Sequence, residues 1–262
     1  MSTPLTVLIT GAGGGLGKVT AAAFLAAGAN VAICDVNQER LDSTSKEWTE
    51  AGHDGKFLAT TTNVADPASV QQLVDAAVAK FGRLDVLVNN AGIMDDFSGA
   101  AECSQEMWDR VLAVNLHGPY YLIKAAVKQF EKQTEGEKGG VIINICSTSA
   151  VYGSNAGAAY TASKHGLLGL NKNTAFTYSD KGIYSVAMVM GGMATNVSDG
   201  MKRGELDRAA YARVHEARPF DLEKHLVPLE SVAKTVVFLS DRSIARSANG
   251  GAIDFKNNNP AN

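Results

Sequence analysis

Apolar runs and amphipathic segments alternate along most of this chain. The runs are short and rich in β-branched residues, which is typical of buried strands, and the segments between them carry apolar residues at helical spacing. Strands are predicted near residues 5–10, 30–34, 56–61, 84–88, 141–146, 184–189 and 251–255. Helices are predicted near residues 16–28, 67–82, 105–130, 158–178 and 229–239, with a polar helix around Leu41 and Trp48.

This alternation limits the fold class. A helix between two strands brings them into one sheet in parallel orientation through a right-handed crossover. We therefore predict an α/β fold, a doubly wound Rossmann-type sandwich with a largely parallel seven-stranded sheet and helices on both faces. The alternation lapses at about residues 190–228, where a charged, helix-prone segment predicts an insertion.

The overall charge narrows the range of partners. The 262 residues carry a formal net charge of −3, so the chain has no general basic field for nucleic acid or an anionic membrane. No apolar run reaches the length of a membrane span, and the N-terminus lacks the basic region of a signal peptide. We therefore expect a cytoplasmic protein with a small-molecule partner, and no nucleic acid or membrane partner.

The cysteines and histidines are scattered without the spacing of metal ligands. Cys34, Cys103 and Cys146 are odd in number and far apart, which fits neither a disulfide framework nor a C-x-x-C site. We expect buried thiols in a reducing compartment, structural histidines, and no metal site.

A glycine-rich segment stands between the first predicted strand and the first predicted helix. Gly11, Gly15 and Gly17 give it the spacing G-x-x-x-G-x-G. Glycines at such a junction permit a tight turn, the close approach of a pyrophosphate and packing of the helix against the strand. The segment predicts a dinucleotide site, although glycine-rich turns also occur for structural reasons alone.

Asp35 closes the second predicted strand, near the separation from the glycines that a dinucleotide site requires. A carboxylate there accepts hydrogen bonds from both ribose hydroxyls of adenosine and repels a 2′-phosphate. We therefore expect NAD as the cofactor, with NADP disfavoured. The alternative role for Asp35 is a cap on the helix that follows.

Tyr160 and Lys164 lie one turn apart in a predicted helix, so the phenol and the ammonium share one face. A free tyrosine titrates near pH ~10 and is a poor acid–base catalyst at neutral pH unless a positive charge stabilises its phenolate. Lys164 is able to supply that charge. The pair indicates proton transfer, and the alternative is a solvated helix face.

These motifs occur together in one chain. They are Thr10-Gly11-x-x-x-Gly15-x-Gly17, Asn89-Asn90-Ala91-Gly92, Asn115, Ser147 and Tyr160-x-x-x-Lys164. In this order and with these separations, the chain resembles the short-chain dehydrogenase/reductase family, in its single-domain subgroup, from Thr10 to Asp254. The resemblance implies that residues 1–262 form a single dinucleotide-binding and catalytic domain, whose insertion at about 190–228 is a substrate lid.

The resemblance also implies residue roles. Tyr160 would exchange the hydroxyl proton, Ser147 would hydrogen-bond the carbonyl or alkoxide oxygen, and Lys164 would lower the tyrosine pKa and hold the nicotinamide ribose. Asn115 would interrupt its helix and position a water beside Lys164. The implied cofactor contacts are Gly11, Gly15, Leu16, Gly17, Asp35, Asn63, Val64, Asn90, Ala91, Gly92, Tyr160, Lys164 and Thr195.

Three positions depart from the family pattern, one of them the final predicted strand, where the usual glycines after Asp254 are absent. Asn63 stands where an acidic residue is usual, and an amide still accepts the adenine hydrogen bond. The usual proline after the sixth strand is absent from Met190-Gly191-Gly192, so the register is ambiguous there. Thr195 is the candidate for the contact with the nicotinamide amide or the pyrophosphate.

The implied substrate pocket is mostly apolar and flexible, which suits a secondary alcohol or ketone with a nonpolar ring or chain. Asp95 and Asp96 are expected in a solvated loop, and the charges of the lid, Asp199 among them, are expected to face solvent. The implied substrate contacts are Ser147, Ser149, Tyr152, Tyr160 and Met193, with Tyr152 as an aromatic wall.

Three functions are compatible with the sequence. The first is an NAD-dependent oxidoreductase that interconverts a secondary alcohol and a ketone by hydride transfer, with Tyr160 as general acid and base. The second is an NADPH-dependent carbonyl reductase in a biosynthetic pathway. The third is a non-catalytic dinucleotide sensor or scaffold, which has no need of the proton relay. The resemblance further implies a homo-oligomer, a tetramer in preference to a dimer, formed through the helices near 105–130 and 158–178.

Overall fold

A seven-stranded parallel sheet forms the centre of the structure, a computed structural model that describes residues 4–133, 138–202, 204, 206–217 and 221–257. The strand order is β3-β2-β1-β4-β5-β6-β7, so the chain winds from β1 to one edge and then from β4 to the other. The predicted fold class is confirmed, and each neighbouring pair of strands is parallel. The strands are β1 (Thr6–Thr10), β2 (Asn30–Asp35), β3 (Phe57–Thr61), β4 (Val86–Asn89), β5 (Gly140–Ile145), β6 (Ile183–Met190) and β7 (Ala252–Phe255).

Helices connect the strands and cover the sheet. In chain order they are α1 (Gly15–Ala26), α2 (Gln38–Glu50), α3 (Pro67–Phe81), α4 (Gln105–Leu112), α5 (Gly118–Lys132), α6 (Ala158–Tyr178), α7 (Asp199–Lys202), α8 (Arg208–Ala217), α9 (Leu222–His225), α10 (Leu229–Leu239) and α11 (Arg242–Ser247).

Both faces of the sheet are buried because successive strand side chains point to opposite faces. On one face, Val7 and Ile9 of β1 belong to a core with α1, α2, α10 and α11. On the other face, Leu8 packs in a core with α3 and α5. Helix α6 contributes Leu167 and Leu168 to a smaller cluster beside β6. The layered packing fixes the carboxyl ends of the strands along one edge.

Local signals in the sequence set several helix ends. Asp66 caps α3 and accepts hydrogen bonds from the amides of Ala68 (3.1 Å) and Ser69 (3.3 Å), with Pro67 in the first turn. The helix ends at Gly82, whose φ of 81° lies in the left-handed region that favours glycine. Both ends agree with the predicted helix.

The helix predicted over 105–130 is interrupted in the structure. Helix α4 ends at Leu112, a π-helical turn spans Ala113–His117, and α5 follows from Gly118. Asn115 lies inside this turn, so the interruption expected from the family resemblance is present at the expected residue.

The predicted insertion consists of short helical pieces. A 3-10 turn (Asn196–Ser198), α7, α8 and α9 lie between β6 and α10. We refer to residues 190–228 as the lid segment; residues 203, 205 and 218–220 of it lie outside the described residues.

Candidate active site

A cavity of about 710 Å³ lies at the carboxyl ends of the strands. In a doubly wound sheet this is the usual ligand site, at the point where neighbouring strands continue in opposite directions, here β1 and β4. Most of the predicted site residues lie in its wall. They are Gly11, Gly15, Leu16, Asp35, Asn63, Val64, Asn90, Ala91, Gly92, Ser147, Ser149, Tyr160, Lys164, Met193 and Thr195.

The glycine-rich turn forms one end of the cavity. Gly11 has a φ of 63°, and a Cβ atom there would lie 2.8 Å from the Cα of Ala91. The N-cap of α1 is Gly14, which provides no side-chain cap, and the first turn of α1 has no acidic residue. The turn therefore presents a side-chain-free helix N-terminus, which suits a pyrophosphate.

Gly17 has a different role from its neighbours because it lies outside the cavity wall. A Cβ atom at this position would lie 2.4 Å from the carbonyl oxygen of Gly11 and 2.7 Å from Nδ2 of Asn90. Gly17 thus allows α1 to pack against the turn, and the predicted cofactor contact at Gly17 is not present in the described wall.

Asn90 and Thr10 hold the turn against the end of β4. Nδ2 of Asn90 donates to the carbonyl oxygens of Thr10 (2.8 Å) and Gly11 (3.1 Å). The Thr10 hydroxyl accepts hydrogen bonds from the amides of Asn90 and Ala91. These bonds join the two motifs that the sequence separates by almost eighty residues.

Asp35 stands at the adenosine end of the cavity and braces the same turn. Its Oδ2 accepts a hydrogen bond from the amide of Gly13 (3.1 Å), and its Oδ1 accepts one from the amide of Asn37 (3.0 Å). The cap of α2 is Asn37, whose side chain accepts from the amide of Arg40. The alternative role of Asp35 as a helix cap is therefore wrong.

Arg40 links this end of the cavity to the lid segment. Its Nη2 lies 2.6 Å from Oδ2 of Asp199, and both side chains are partly buried. The expectation that Asp199 faces solvent is therefore wrong. Asn196 also approaches the turn, since a Cβ atom at Gly14 would lie 2.8 Å from its Oδ1. The start of the lid segment thus lies directly over the glycine-rich turn.

Ser147, Tyr160 and Lys164 form the other end of the cavity. Ser147 follows β5 and lies in the cavity wall with Tyr160, whose side chain is buried. Lys164 is also buried; its Nζ donates to the carbonyl oxygen of Ile145 at 3.0 Å and lies 5.6 Å from the centre of the Tyr160 ring. The three residues predicted from spacing are therefore brought together.

The titration of this group differs from the expectation. Burial raises the pKa of Tyr160 to about 12, the hydrogen bond with Ser147 opposes the rise, and the charges of Cys146 and Asp95 add to it. Burial also lowers the pKa of Lys164, because a charged ammonium is costly to desolvate. The pKa of Tyr160 is therefore raised where a lowered one was expected, and the phenol is neutral at pH 7.

Asn115 lies behind the cavity wall and is fully buried. Its Oδ1 accepts from the amide of Ile93 (2.9 Å), and its Nδ2 donates to the carbonyl oxygen of the same residue (2.9 Å) and to Ser163 (3.2 Å). A Cβ atom at Gly92 would lie 3.3 Å from Asn115 Oδ1 and 3.6 Å from Lys164 Nζ. Asn115 and Lys164 therefore flank the same backbone position.

The expected aromatic wall at Tyr152 is not present in the described wall. Its ring lies beneath the ammonium of Lys256, 5.3 Å from ring centre to Nζ, because the 3-10 turn at Thr148–Ala150 directs the chain toward the end of β7. The cavity is also lined by Arg110 and His215, which the sequence analysis did not indicate as site residues. Both come from helices whose sequence gives no sign of facing a ligand.

In residues 95–98, which we name the Asp95 loop, Asp95, Phe97 and Ser98 are buried and Asp96 is half-buried, whereas a solvated loop was expected for Asp95 and Asp96. Asp95 is 2% exposed. The carbonyl oxygen of Asp96 accepts from the amide of Asp207 beside α8, and the Phe97 ring meets Tyr211 of α8 edge to face at 5.1 Å. The loop therefore connects the lid segment with the start of α6. Burial of this kind leaves no local signal in a sequence.

No helix among the described residues is long and apolar enough to cross a membrane. No group of three or more potential metal-ligating side chains occurs in the described part of the chain.

Comparisons with known proteins agree with this site. A family model described as short chain dehydrogenase matches residues 5–205. The chain is 50% identical over 188 residues to the short chain dehydrogenase/reductase dpchG of Colletotrichum higginsianum, covering 72% of this chain and 69% of that protein. It is 40% identical over 198 residues to 3beta-hydroxysteroid dehydrogenase 2 of Eggerthella lenta, covering 76% and 74%. A crystal structure of actinorhodin polyketide ketoreductase with NADPH superposes with a TM-score of 0.82 at 29% identity, covering 98% of both chains.

Proposed function

Because the chain belongs to the short-chain dehydrogenase/reductase family, we propose that it is an NAD-dependent oxidoreductase that interconverts a secondary alcohol and a ketone. One observation carries the proposal. A single cavity holds the glycine-rich turn and Asp35 at one end, and Ser147, Tyr160 and Lys164 at the other. This arrangement suits a dinucleotide whose reactive end meets a proton donor.

The residues of the cavity fit a nicotinamide dinucleotide. The side-chain-free start of α1 suits the pyrophosphate, and the carboxylate of Asp35 suits the adenosine ribose. Lys164 and Tyr160 would hold the nicotinamide ribose. When bound, the cofactor accepts or supplies the hydride. The remaining proposed contacts are Gly11, Gly15, Leu16, Asn63, Val64, Asn90, Ala91, Gly92 and Thr195.

Tyr160 is the proposed general acid and base. With a pKa of about 12, its phenol keeps its proton at neutral pH and can donate it to the oxygen of a ketone during reduction. In the reverse direction, the phenolate takes the hydroxyl proton of the alcohol. Ser147, in the same part of the cavity wall, would bind the same oxygen and stabilise its developing charge.

Lys164 and Asn115 are proposed to take part in proton transfer between the Tyr160 phenol and solvent. The Lys164 ammonium lies next to the phenol ring, and Asn115 holds Ile93 through two hydrogen bonds. Both groups lie close to Gly92, where a bridging water would complete a path away from the buried phenol. This role keeps Asn115 outside direct contact with substrate.

The substrate class that fits best is a ketone or secondary alcohol with a bulky nonpolar ring system. Ile93, Met94, Met193 and Val214 give the cavity an apolar wall next to Ser147. Ser149 lies in the same wall. The names of two similar proteins refer to a hydroxysteroid and a polyketide, both larger than a simple alcohol.

An NADPH-dependent carbonyl reductase is the second candidate, since the similar ketoreductase structure contains NADPH. Asp35 favours NAD because its carboxylate would repel a 2′-phosphate, and Arg40, the cation nearest to it in the cavity wall, is paired with Asp199. A silent dinucleotide sensor is the candidate of another class. Such a sensor gives no reason for Ser147, Tyr160 and Lys164 to lie together in the cavity wall.

We further propose a homotetramer located in the cytoplasm. Helices α5 and α6 carry the exposed aromatic residues Tyr120 and Phe176, and α10 carries Phe238. Exposed apolar groups on two surfaces support the two kinds of interface that a tetramer requires. The three cysteines are free thiols, which suits a reducing compartment.

The deciding experiment is a turnover screen of ring-containing ketones and secondary alcohols with both cofactors, followed by nicotinamide absorbance. We expect NADH to exceed NADPH by about tenfold or more in kcat/KM. Tyr160→Phe should lower kcat by about 100-fold or more, because the proton donor is removed, and should weaken NADH binding far less, because Lys164 still holds the nicotinamide ribose. Tyr178→Phe, at the far end of the same helix, is the matched control. Equal rates with NADPH would overturn the cofactor proposal, and a fully active Tyr160→Phe would overturn the mechanism.

A further inference from the structure

Helix α6 carries Tyr160 and Lys164 but has no cap of its own. Its N-cap residue is Gly157, which offers no side-chain acceptor, and its first turn has no acidic residue. The first amides of a helix have no partner within the helix and need acceptors from elsewhere. The start of α6 is buried in the protein, so water does not replace these acceptors there.

The missing cap comes from Asp95, more than sixty residues earlier in the chain. Its Oδ2 accepts a hydrogen bond from the amide of Tyr160 at 2.8 Å, and its Oδ1 accepts from the amide of Gly157 at 3.1 Å. Nearby, the carbonyl oxygen of Ser98 accepts from the amide of Ala158 at 2.9 Å. The Asp95 loop therefore binds three of the first amides of the catalytic helix.

This contact depends on the absence of a side chain at Gly157. A Cβ atom there would lie 2.6 Å from Oδ2 of Asp95 and 2.8 Å from the carbonyl carbon of Phe97. The loop is also held in an unusual conformation. Phe97 has a φ of 72°, which residues other than glycine rarely adopt, and its amide donates to Oδ1 of Asp95 at 3.1 Å.

The charge of Asp95 works against the proposed chemistry. Its negative charge adds to the raised pKa of Tyr160, so it disfavours the phenolate. Burial also raises the pKa of Asp95 itself, against the effect of its three amide hydrogen bonds. The charge of Asp95 therefore does not explain its position next to the general base. Its hydrogen bonds to the main chain of α6 do.

We propose that Asp95 is a positioning residue for Tyr160. It fixes the main chain of Tyr160, and with it the direction of the phenol toward Ser147. The inference rests on the proposed function for its catalytic consequence, but the main-chain restraint is independent of any reaction. Because catalytic groups need placement within a fraction of an ångström, loss of one such restraint is costly to the chemical step.

Asp95→Asn tests the proposal with a minimal change. The amide keeps one oxygen, which can continue to accept from Gly157 and Phe97, but it places an NH2 group opposite the amide of Tyr160. Asp96→Asn is the matched control, since it removes the same charge one residue away. The Asp96 carboxylate accepts from the amide and the hydroxyl of Ser98, both within the Asp95 loop.

We expect Asp95→Asn to lower kcat by about 10- to 100-fold while the dissociation constant of NADH stays within about twofold. The pH profile should also change. The charged and titratable groups around the Tyr160 phenol are Lys164, Cys146 and Asp95. Because the charge of Asp95 raises the pKa of Tyr160, its removal should move the limb of the pH–rate profile that reports Tyr160 ionisation to lower pH. General loosening of the fold would lower activity without moving that limb.

A readout without turnover separates this proposal from the proposed function. Amide hydrogen exchange at Tyr160 should become faster in Asp95→Asn and stay unchanged in Asp96→Asn. The proposal is overturned if exchange at Tyr160 and kcat are both unchanged. It is also overturned if NADH binding, thermal stability and kcat decline in parallel in both variants. Faster exchange in an Asp95→Asn protein whose wild type turns over no substrate would support the restraint and reject the proposed function instead.

Discussion

At the residue scale, the proposed chemistry depends on Tyr160, whose phenol is harder to ionise than that of a free tyrosine. Burial is the main cause of its raised pKa, and the nearby ammonium of Lys164 is itself destabilised by burial. The sequence indicated the pair through its spacing, but spacing carries no information about desolvation. The spacing therefore predicted that the two side chains share one helix face, but the predicted direction of the Tyr160 pKa shift was wrong.

The raised pKa predicts opposite pH dependence for the two directions of reaction. Alcohol oxidation needs the phenolate, whose fraction grows about tenfold per pH unit below the pKa, so kcat/KM for oxidation should rise with pH from neutral to alkaline conditions. Ketone reduction uses the protonated phenol and should lack this rise. Steady-state rates across that range in both directions, with NADH binding measured at each pH, test the prediction. A flat oxidation profile would contradict it.

Asp95 and Asp199 show that residue type alone does not predict whether a side chain is exposed to solvent. Both are acidic residues in polar stretches, for which exposure to solvent was expected. Asp95 instead satisfies amides of a distant helix, and Asp199 pairs with Arg40 of α2. Each role depends on a partner more than sixty positions away, so it follows from the tertiary fold and not from the local pattern.

At the element scale, the glycine-rich segment combines two separate requirements. Gly11 and Gly15 have positive φ and line the cavity, whereas Gly17 is needed because α1 packs closely on the turn. The spacing of the three glycines predicted the junction of β1 with α1, but it did not distinguish a ligand contact from a packing contact. That distinction requires the position of Asn90, which arrives from β4.

Gly17→Ala should destabilise the fold by about 1–3 kcal/mol, since its methyl group would overlap the carbonyl oxygen of Gly11 and neither backbone can move freely. Gly169→Ala is the opposing control. Gly169 lies in α6 with open space around its Cα, so alanine there should stabilise by about 0.5–1 kcal/mol through a less flexible unfolded chain. Urea unfolding midpoints measure both effects. Equal midpoints would contradict the packing role of Gly17.

The break between α4 and α5 is a further case in which local pattern was insufficient. Apolar residues continue at helical spacing through 105–130, so the pattern predicts one helix. The π-helical turn at Ala113–His117 coincides with the hydrogen bonds from Asn115 to Ile93. Such bonds are made across the fold, and only the family resemblance anticipated an interruption there.

At the scale of the whole molecule, the order of the strands brings the residues of the candidate site together. Each predicted strand is present, and the parallel arrangement places the ends of β1, β2, β4 and β5 at one edge. Alternation of strands and helices was enough to predict this arrangement. The part of the cavity wall that the lid segment supplies was not predictable in detail. Its helices are too short to show a repeating pattern of apolar residues in the sequence.

The proposed tetramer predicts a solution mass of four chains. Phe176 on α6 is 87% exposed in the single chain, an unusual position for a large aromatic ring. Phe176→Glu should reduce the mass measured by light scattering to that of a smaller assembly, because a charge would be buried at the interface. Lys172→Glu, at an exposed site on the same helix, controls for added negative charge. A wild-type protein with the mass of one chain would contradict the tetramer.

The Asp95 loop gives the lid segment and the catalytic helix a common support. Phe97 packs against Tyr211 of α8 on one side, and Asp95 holds the amide of Tyr160 on the other. Because Val214 and His215 of α8 line the cavity, we expect a ketone that does not contact α8 to leave that support loose and the phenol out of alignment. Discrimination among ketones then appears in the turnover number and not in affinity. A poor substrate would then bind in the cavity and dissociate without being reduced.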